Sequence, residues 1–374
     1  MCQPSDRPAA PSTLCNPADE ERGGASFCYT AKSMQKITLN MISESEFTVQ
    51  GHGVHTAYVE LTNALKRRDD VSVRVNGDIG DDDVVHIQTL GLYSLKRLLG
   101  APGKKVVSVH VVPDSFVGSI VLAKYWRPIG RAYLKWFYGR ADMLFAVSQM
   151  VADELVGDMQ IPAEKVKLLY NTVDMQQYRR STKDKAAARH QHEIAKSAFV
   201  VVGNGQVQPR KRFDTFVAAA HELPEVQFIW IGGIPFKHLG ADYAEMNRLI
   251  ETAPPNLKVT GVIPLADVRA YLHAADVFFL PAEQENHPMA VLEAAGTGLP
   301  IILRDIPQYK DTFARDAELI ETNEQAVATI RRLRDDRAAY DRAAQGAAAI
   351  AARFDSAAGA ERAMTYYREA MARD

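Results

Sequence analysis

Two glutamates eight residues apart, Glu285 and Glu293, flank the predicted start of a helix within residues 281–298. The apolar run Val277–Leu280 before them predicts a buried strand, and Pro288 suits the first turn of a helix. The amino end of a helix has N–H groups without partners, which suit a phosphate. A carboxylate accepts hydrogen bonds from both hydroxyls of a vicinal diol. The segment therefore predicts a sugar-nucleotide site, with carboxylates on hydroxyls and the helix end toward a diphosphate.

A cluster of three basic residues, Arg210, Lys211 and Arg212, lies between a predicted strand and a predicted helix. Pro209 before them predicts a turn, so the cations and the helix end would act together as a clamp for a diphosphate. A run of charges more often forms a solvated surface, as do two glutamates near a helix. The apolar residues around the two glutamates favour the functional interpretation.

Two further positions have both a functional and a structural interpretation. His110 lies between two valines at the end of a predicted strand, where a histidine is more often a buried core residue. Gly51 and Gly53 follow the first predicted strand and flank His52. They fit either an ordinary turn or a loop whose backbone approaches a ligand closely. The residues alone leave both alternatives open at each position.

The composition places few restrictions on function. Of the 374 residues, 47% are apolar and 24% are charged, which is typical of a globular protein long enough for two domains. The net charge of −2 does not by itself predict binding to nucleic acid. No apolar run is long enough to span a bilayer, and the amino terminus lacks the apolar core of a signal peptide. The sequence has no histidine-rich segment, and we expect neither a metal nor a cofactor.

All three cysteines, Cys2, Cys15 and Cys28, lie within the first 28 residues, which are rich in Pro, Ser, Ala and Gly. A metal-binding tail is one interpretation, but the cysteine spacings match no zinc-binding pattern. We expect residues 1–33 to form a disordered extension, or to precede a natural start at Met34. The folded part then has no cysteine, which fits a cytosolic protein without disulfides.

Short apolar strands alternate with helices through two successive parts of the chain. Residues 34–180 and residues 181–351 each predict an α/β, doubly wound parallel sheet, and the polar stretch Arg179–Lys196 predicts a hinge or a helix between them. The alanine-rich carboxyl end predicts long helices, and we expect residues 352–374 to complete the amino-terminal domain. This arrangement places a ligand in a central cleft, at the carboxyl ends of the strands.

Residues Lys96–Arg140 contain nine lysines and arginines but one acidic residue, a local excess that the near-neutral total hides. In the helix predicted over residues 119–139, apolar and basic side chains fall on opposite faces. The helix either packs its apolar face into the core or lies on an anionic membrane with its aromatic rings at the interface, and the two interpretations are compatible. The apolar face contains Ile129, Tyr133, Trp136 and Phe137, and the residues expected at the membrane or acceptor are Lys124, Trp126, Arg127, Arg131 and Lys135.

From about Met34 to its carboxyl end, the chain resembles the family-4 retaining glycosyltransferases of the GT-B fold, in which two Rossmann-like domains face a central cleft. Four stretches carry the resemblance, in the expected order: the Gly51–Gly53 loop, His110, the segment GQVQPRKRFD at 205–214, and the glutamate pair. Within this family, the segments VHVVPDSF, GQVQPRK, WIGGIPF and LRDIPQYKD resemble bacterial enzymes that glycosylate diacylglycerol or its monoglycosyl derivative.

The resemblance implies a role for each of these residues. Glu293 accepts hydrogen bonds from the ribose of the nucleotide, Glu285 contacts the donor sugar, and Lys211 stabilises the leaving diphosphate. His110 lies over the donor sugar, and the glycine loop passes under the diphosphate. The other positions expected at the donor are Gly51, Gly53, Gln206, Arg210, Asn286, His287, Pro288 and Met289.

The chain departs from the family pattern at two places. Gln206 stands where the family often has an arginine, and we expect Arg210 to supply the missing cation. Asn286 and His287 stand where the family commonly has Gly-Phe. Their polar side chains are expected to alter the hexose pocket.

The resemblance implies a retaining, metal-independent transfer of glucose or galactose from a UDP-sugar to a membrane glycerolipid or glycolipid. We expect a cytoplasmic enzyme that binds peripherally to the anionic inner face of the plasma membrane and has no nucleic-acid partner. Two alternatives remain open. One is a retaining transferase that acts in free solution on a sugar, polyol or polysaccharide precursor. The other is a non-catalytic sugar-nucleotide-binding protein that docks on membranes.

Overall fold

The computed structural model describes residues 36–47, 53–113, 123–234 and 243–373, without the side chains of residues 123–127. The extension with its three cysteines and the loop residue Gly51 lie outside the described residues. The described chain from Lys36 onward forms one compact unit. Within this unit, two parallel sheets are each flanked by helices, and each sheet with its helices is called a lobe below.

The amino-terminal lobe contains the first parallel sheet. Its strands are β1 (Ile37–Ile42), β2 (Val71–Val75), β3 (Val84–Ile87), β4 (Lys104–Val109), β5 (Met143–Ala146) and β6 (Val166–Leu168), and its helices are α1 (Gly53–Lys66), α2 (Leu92–Gly100), α3 (Ala123–Gly139) and α4 (Gln149–Val156). The strand order is β2-β1-β3-β4-β5-β6, and all neighbouring strands are parallel. The central strands β3 and β5 are fully buried, as expected for a parallel sheet covered by helices.

Two helices, α5 (Met175–Tyr178) and α6 (Thr182–Gln191), connect the lobes. The polar stretch predicted as a hinge or a helix is therefore helical at its centre. A capping box begins α6, because the Ser181 side chain accepts from the backbone of Asp184 and the Asp184 carboxylate accepts from the backbone of Ser181. The local sequence thus specifies where this helix starts.

The carboxy-terminal lobe contains the second parallel sheet. Its strands are β7 (Val200–Asn204), β8 (Gln227–Ile231), β9 (Leu257–Val259), β10 (Val277–Leu280), β11 (Ile301–Arg304) and β12 (Glu318–Ile320), and its helices are α7 (Phe213–Glu222), α8 (Tyr243–Glu251), α9 (Leu265–Ala274), α10 (Met289–Thr297), α11 (Asn323–Asp335) and α12 (Arg337–Arg353). The strand order is β12-β11-β10-β7-β8-β9, again with parallel neighbours. The predicted alternation of strands and helices is confirmed in both lobes.

A buried tryptophan fixes the end of β7. The Trp230 ring lies edge-to-face with Phe213 and Phe216, at centroid distances of 5.2 and 5.0 Å, and its indole N–H donates to the Gly205 carbonyl at 2.9 Å. A Cβ atom on Gly203 would lie 2.7 Å from the indole, so only glycine fits beside this ring. The packing therefore holds the backbone at the point where the loop toward Lys211 begins.

The last helix, α13 (Ser356–Ala372), returns to the amino-terminal lobe. Its apolar face is buried in one cluster with residues of β1, α1 and β5, including Leu39 and Tyr58. The predicted helix at 352–374 is thus present, although α12 ends at Arg353 and α13 starts only at Ser356. The hydrophobic core of the first lobe depends on residues from near both ends of the described chain. The side chains that α13 contributes are Ala360, Ala363, Met364, Tyr367 and Ala370.

Truncating one buried side chain of α13 should destabilise the amino-terminal lobe. Met364 is fully buried, so Met364→Ala leaves a cavity and should lower the free energy of unfolding by about 2–5 kcal/mol. Met371 lies on the same helix with 39% of its surface exposed, and Met371→Ala should change that energy by less than about 0.5 kcal/mol. Denaturant unfolding of both variants measures the difference. Equal effects would show that α13 does not belong to this core.

Candidate active site

The two glutamates lie on either side of a helix start at the carboxyl end of β10. The strand ends at Leu280, and α10 begins at Met289 with Pro288 as its N-cap residue. Since β7 pairs with β10, the loop that follows Asn204 leaves the sheet at the same edge. The helix ends at Gly298, whose φ of 79° is a conformation that glycine adopts without strain. The predicted loop-to-helix junction is confirmed, with Pro288 just before the first turn.

A buried ion pair joins Lys211 to Glu285. The Lys211 ammonium contacts Glu285 Oε1, and both side chains are about nine-tenths inaccessible to solvent. Lys211 ends a short 3-10 turn from Pro209, after which α7 begins. Burial lowers the pKa of Lys211, and the Glu285 carboxylate opposes that effect. The clamp and the carboxylate predicted at separate positions thus form one unit, although their roles toward a donor stay predictions.

Arg210 lies beside this unit on the same turn. Its Nε donates to Gln208 Oε1 at 3.1 Å, and its guanidinium reaches the Gln284 carbonyl at 3.4 Å. Gln206, at the position where the family often has arginine, is half-buried. Arg210 therefore lies next to the Glu285 loop, as a substitute cation would need to. Its role in place of the family arginine stays a prediction.

Glu293 is buried inside α10 and carries a perturbed carboxyl group. Its Oε2 accepts from Asn204 Nδ2 at 3.1 Å, and the Tyr178 hydroxyl also hydrogen-bonds to the carboxylate. Burial, together with the nearby Glu60 carboxylate, raises the pKa of Glu293 to about 7, although both hydrogen bonds lower it. Glu60 belongs to α1 and accepts from the Asp174 backbone at 2.9 Å, so both lobes contribute to this environment.

His110 follows β4 directly and is brought to the Glu285 loop by a contact between the lobes. Its Nε2 lies 3.0 Å from Gln88 Oε1, and its backbone carbonyl accepts from Asn286 Nδ2 at 3.1 Å. Asn286 comes directly after Glu285. The structure therefore brings together His110, Glu285 and Lys211, three residues that lie far apart in the sequence.

The His287 side chain lies among aromatic rings, and its expected effect on a hexose pocket stays a prediction. Its ring centroid is 5.1 Å from those of Tyr170 and Phe313 and 4.6 Å from that of Phe354. Both imidazole nitrogens are buried without a hydrogen-bond partner, and burial lowers the pKa to about 3. A donor cannot reach these nitrogens in this conformation. The ring fills a space lined by these aromatic residues, while the His287 carbonyl accepts from Asn171 at 2.8 Å.

The glycine loop is described only at its end. Gly53 is the first residue of α1, and a Cβ atom there would meet nothing within 4 Å. Gly51 and His52 lie outside the described residues. The predicted contact of this loop with a diphosphate therefore stays a prediction.

Three polar residues that contact the predicted site residues Glu293 and His110 were not identified from the sequence. Asn204 is the last residue of β7, and its side chain orients Glu293. Gln88 follows β3 directly and contacts His110, while Tyr178 ends α5 at the crossing between the lobes. Asn204 and Gln88 had a readable signal, because a polar residue at the carboxyl end of a buried strand occupies the ligand edge of the sheet. Tyr178 had none.

The predicted apolar face of the basic helix α3 is partly buried in the core and partly exposed to solvent. Phe137 is fully buried, as the core-packing interpretation expects, whereas Ile129 and Trp136 are 63% and 42% exposed. Arg131 donates to the Asp158 carbonyl at 2.5 Å, and Lys135 donates to Gln160 Oε1 at 3.1 Å. Both are exposed on the basic face of the helix. The side chains of Lys124, Trp126 and Arg127 are outside the described part of the chain.

In residues 36–47, 53–113, 123–234 and 243–373, no three His, Cys, Asp or Glu side chains are grouped so that they can hold a metal ion. Among the helices described, none combines the length and apolar composition needed to cross a bilayer.

Comparison with a solved structure defines the class of protein. The Anabaena protein HepE, crystallised in complex with UDP-glucose, superposes with a TM-score of 0.71 at 17% identity, covering 89% of this chain and 100% of that one. Such neighbours are glycosyltransferases of the GT-B fold, so the two Rossmann-like lobes form a GT-B protein, as predicted.

Sequence relatives define the family. Residues 74–177 match "Glycosyltransferase Family 4", and residues 184–349 match "Glycosyl transferases group 1". The chain is 35% identical over 285 residues to the alpha-galactosylglucosyldiacylglycerol synthase of Streptococcus pneumoniae, covering 74% of each chain. It is 26% identical over 275 residues to the processive diacylglycerol alpha-glucosyltransferase of Acholeplasma laidlawii, covering 72% of this chain and 80% of that one. The chain belongs to this glycosyltransferase family, and the predicted enzyme class is confirmed.

The perturbed carboxyl group of Glu293 should make stability depend on pH. Its pKa is raised from 4.5 to about 7, so the folded state binds this proton more tightly than the unfolded state. The resulting stabilisation is complete below pH 4.5 and is lost as the pH rises through about 7. Between about pH 4.5 and pH 8, the free energy of unfolding of the unmodified protein should fall by about 3 kcal/mol more than that of Glu293→Gln.

Denaturant unfolding across this pH range provides the measurement. Glu283→Gln is the matched control, because Glu283 is an exposed glutamate on the loop before α10. The control should follow the unmodified protein. Parallel pH curves for Glu293→Gln and the unmodified protein would show that Glu293 is ionised normally in the folded state.

Proposed function

We propose that this glycosyltransferase moves glucose or galactose from a UDP-sugar to a membrane glycerolipid or glycolipid, with retention of the anomeric configuration. One observation carries the proposal: a buried Lys211–Glu285 pair and a buried Glu293 flank the start of α10, at the ligand edge of the second sheet. Glutamates that serve only as surface residues near a helix would be exposed to solvent. Two buried carboxylates at such an edge, of which Glu293 has a raised pKa, favour a binding role.

A UDP-sugar matches this arrangement in charge and in hydroxyl groups. In the proposed complex, the Glu293 carboxylate accepts from the ribose hydroxyls and is held by Asn204 and Tyr178. The diphosphate faces Lys211 and the amino end of α10, where backbone N–H groups favour an anion. Glu285 contacts the hexose. The UDP-glucose complex of HepE, which has the same fold, supports this class of donor.

In the proposed reaction, the acceptor hydroxyl attacks the anomeric carbon on the face from which UDP departs. The new glycosidic bond forms as the bond to the β-phosphate oxygen breaks, and the acceptor proton passes to that departing oxygen. Lys211 stabilises the negative charge that develops on the diphosphate. Its contact with Glu285 keeps the ammonium charged, although burial lowers its pKa.

Two observations support a lipid as the proposed acceptor: the names of two sequence relatives and the exposed surface of α3. The S. pneumoniae and A. laidlawii relatives are both named for diacylglycerol lipids. On this chain, α3 exposes Ile129 and Trp136 and, on its basic face, Arg131 and Lys135. Apolar and aromatic side chains among cations suit the headgroup region of an anionic membrane. We propose that this surface docks the enzyme on the cytoplasmic face of the plasma membrane.

Purified protein should transfer labelled hexose from UDP-glucose or UDP-galactose to diacylglycerol or a monoglycosyl diacylglycerol. NMR of the product should show the α-anomer that retention requires. Glu285→Gln should lower the rate by roughly 100-fold or more, because it removes the charge that holds Lys211. The matched control Glu283→Gln, two residues earlier on the loop, should retain the rate.

The outcomes of this experiment separate the alternatives. Transfer to a water-soluble sugar or polyol but not to lipid would contradict the lipid acceptor and favour the transferase acting in solution. A β-linked product would contradict retention. UDP binding without turnover of either donor would favour a non-catalytic protein.

Charge reversal on α3 should weaken membrane binding. Each basic residue near an anionic surface contributes about 1 kcal/mol, so Arg131→Glu combined with Lys135→Glu should reduce binding to phosphatidylglycerol-containing vesicles by roughly 30-fold or more. Vesicle co-sedimentation at low salt measures the effect. The matched control reverses Lys183 and Arg342, two exposed cations of other helices, and should bind normally. Equal binding by both double variants would contradict docking through α3.

A further inference from the structure

Three neighbouring strands of the second sheet direct the segments that follow them to one edge. The turn with Lys211 follows β7, the loop with Glu285 follows β10, and the 3-10 turn Pro307–Tyr309 follows β11. Because β10 pairs in parallel with both β7 and β11, all three segments leave the sheet at the carboxyl ends of adjacent strands. The first two segments meet in the Lys211–Glu285 contact. The third contains Tyr309, whose hydroxyl has no part in the reaction proposed above.

The Tyr309 hydroxyl is buried and unsatisfied. The residue is completely inaccessible to solvent, and among the residues that the structure describes no group forms a hydrogen bond with its hydroxyl. Such a hydroxyl is destabilising, because it has given up its hydrogen bonds to water without a replacement. The hydroxyls of Tyr138 and Tyr340, in contrast, donate to backbone carbonyls at 2.6 and 3.1 Å. Tyr309 therefore holds a donor that gains free energy as soon as an acceptor reaches it.

Ring contacts connect Tyr309 to the loop that contains Glu285. Its ring lies edge-to-face with that of Phe313, with 5.3 Å between the centroids, and Phe313 stacks at 5.1 Å on His287, two residues after Glu285. Burial raises the pKa of the Tyr309 hydroxyl most strongly, the Glu285 carboxylate raises it further, and the Arg210 guanidinium opposes both. The hydroxyl therefore keeps its proton at neutral pH. A neutral donor thus lies within electrostatic range of the buried carboxylate.

A bound diphosphate changes what Glu285 needs from its neighbours. In this structure the Lys211 ammonium donates to Glu285 Oε1. An ammonium that turns toward a diphosphate gives up part of that contact, and a buried carboxylate that loses its partner is strongly destabilised. A carboxylate can accept several hydrogen bonds, so a nearby hydroxyl can replace the one that weakens. Because a hydroxyl is neutral, it supports the carboxylate without drawing the phosphate away from Lys211.

We propose that Tyr309 is a positioning residue that donates to the Glu285 carboxylate when Lys211 engages the diphosphate of the donor. The inference rests on the function proposed above, because it requires a diphosphate at Lys211. The Tyr309 hydroxyl gains its hydrogen bond only in the complex, so it stabilises the complex and not the free protein. Glu285 thereby keeps its position toward the hexose after its contact with Lys211 has weakened.

Thermal unfolding without nucleotide tests the free protein. Tyr309→Phe should unfold at the same temperature as the unmodified protein or a higher one, because the change removes no hydrogen bond that the described residues form. Tyr340→Phe is the matched control, since its hydroxyl donates to the carbonyl of Asp276, at the opposite end of β10 from Glu285. This control should unfold at a lower temperature. A loss of several degrees in Tyr309→Phe would overturn the proposal, because its hydroxyl would then have a partner in the free protein.

Titrations with UDP and with uridine, followed by NMR, test the complex. Uridine has the base and the ribose of UDP but no phosphate, so it leaves the Lys211–Glu285 contact intact. Tyr309→Phe should weaken UDP binding roughly tenfold, the effect of one hydrogen bond to a charged group, and should leave uridine binding unchanged. Tyr340→Phe should bind both ligands normally. An unchanged affinity for UDP in Tyr309→Phe, or an equal loss for both ligands, would overturn the proposal.

Turnover separates this inference from the function on which it rests. Tyr309→Phe should also lower kcat/KM for the UDP-sugar roughly tenfold. Hexose transfer by the unmodified protein, with the UDP affinity of Tyr309→Phe unchanged, would contradict the role of Tyr309 alone. Weaker UDP binding by Tyr309→Phe, with no turnover by the unmodified protein, would contradict the proposed transfer alone. Failure of the unmodified protein to bind UDP would contradict both.

Discussion

The buried contact between Lys211 and Glu285 imposes the strongest constraint on the carboxy-terminal lobe. Taking two charges out of water is costly, and the cost is offset only when the partners are held close together. One partner comes from the 3-10 turn before α7 and the other from the loop before α10. The packing of Trp230 at the end of β7 and the N-cap residue Pro288 therefore act on the same contact. An ammonium and a carboxylate therefore lie side by side at the edge of the sheet where we propose that the donor binds.

Contacts between the lobes converge on the same loop. Asn286 donates to the His110 carbonyl, and the next residue, His287, accepts from Asn171 through its own carbonyl. Glu60 on α1 accepts from the backbone of Asp174 near Glu293. The loop that carries Glu285 thus also connects the two halves of the molecule. A donor bound there would contact a segment whose position depends on both lobes, which couples binding to the arrangement of the lobes.

Much of the fold and part of the site could be predicted from local patterns. Apolar runs such as Val277–Leu280 are short and bounded by turn residues, so they indicate buried strands at any position in the chain. Glu285, Glu293 and Lys211 lie at strand-to-helix junctions, which the pattern locates. The same reasoning did not determine the surroundings of His287 or the burial of Phe137. The position of a residue in a helix or loop indicates which site or helix face its side chain is near. It does not indicate which aromatic rings surround the side chain or how much of its surface is buried.

The sequence by itself determined the two alternating halves, the loop-to-helix junction at Pro288, and the residue types available for a sugar nucleotide. It did so because strand and helix periodicities, caps and turns are local properties of the chain. Only the tertiary structure decided that Lys211 pairs with Glu285, that His287 fills an aromatic pocket, and that Tyr367 lies behind His110 through His86 and Gln88. Lys211 and Glu285 are 74 positions apart and His86 and Tyr367 are 281 positions apart, and no local pattern specifies which distant side chains share one buried space.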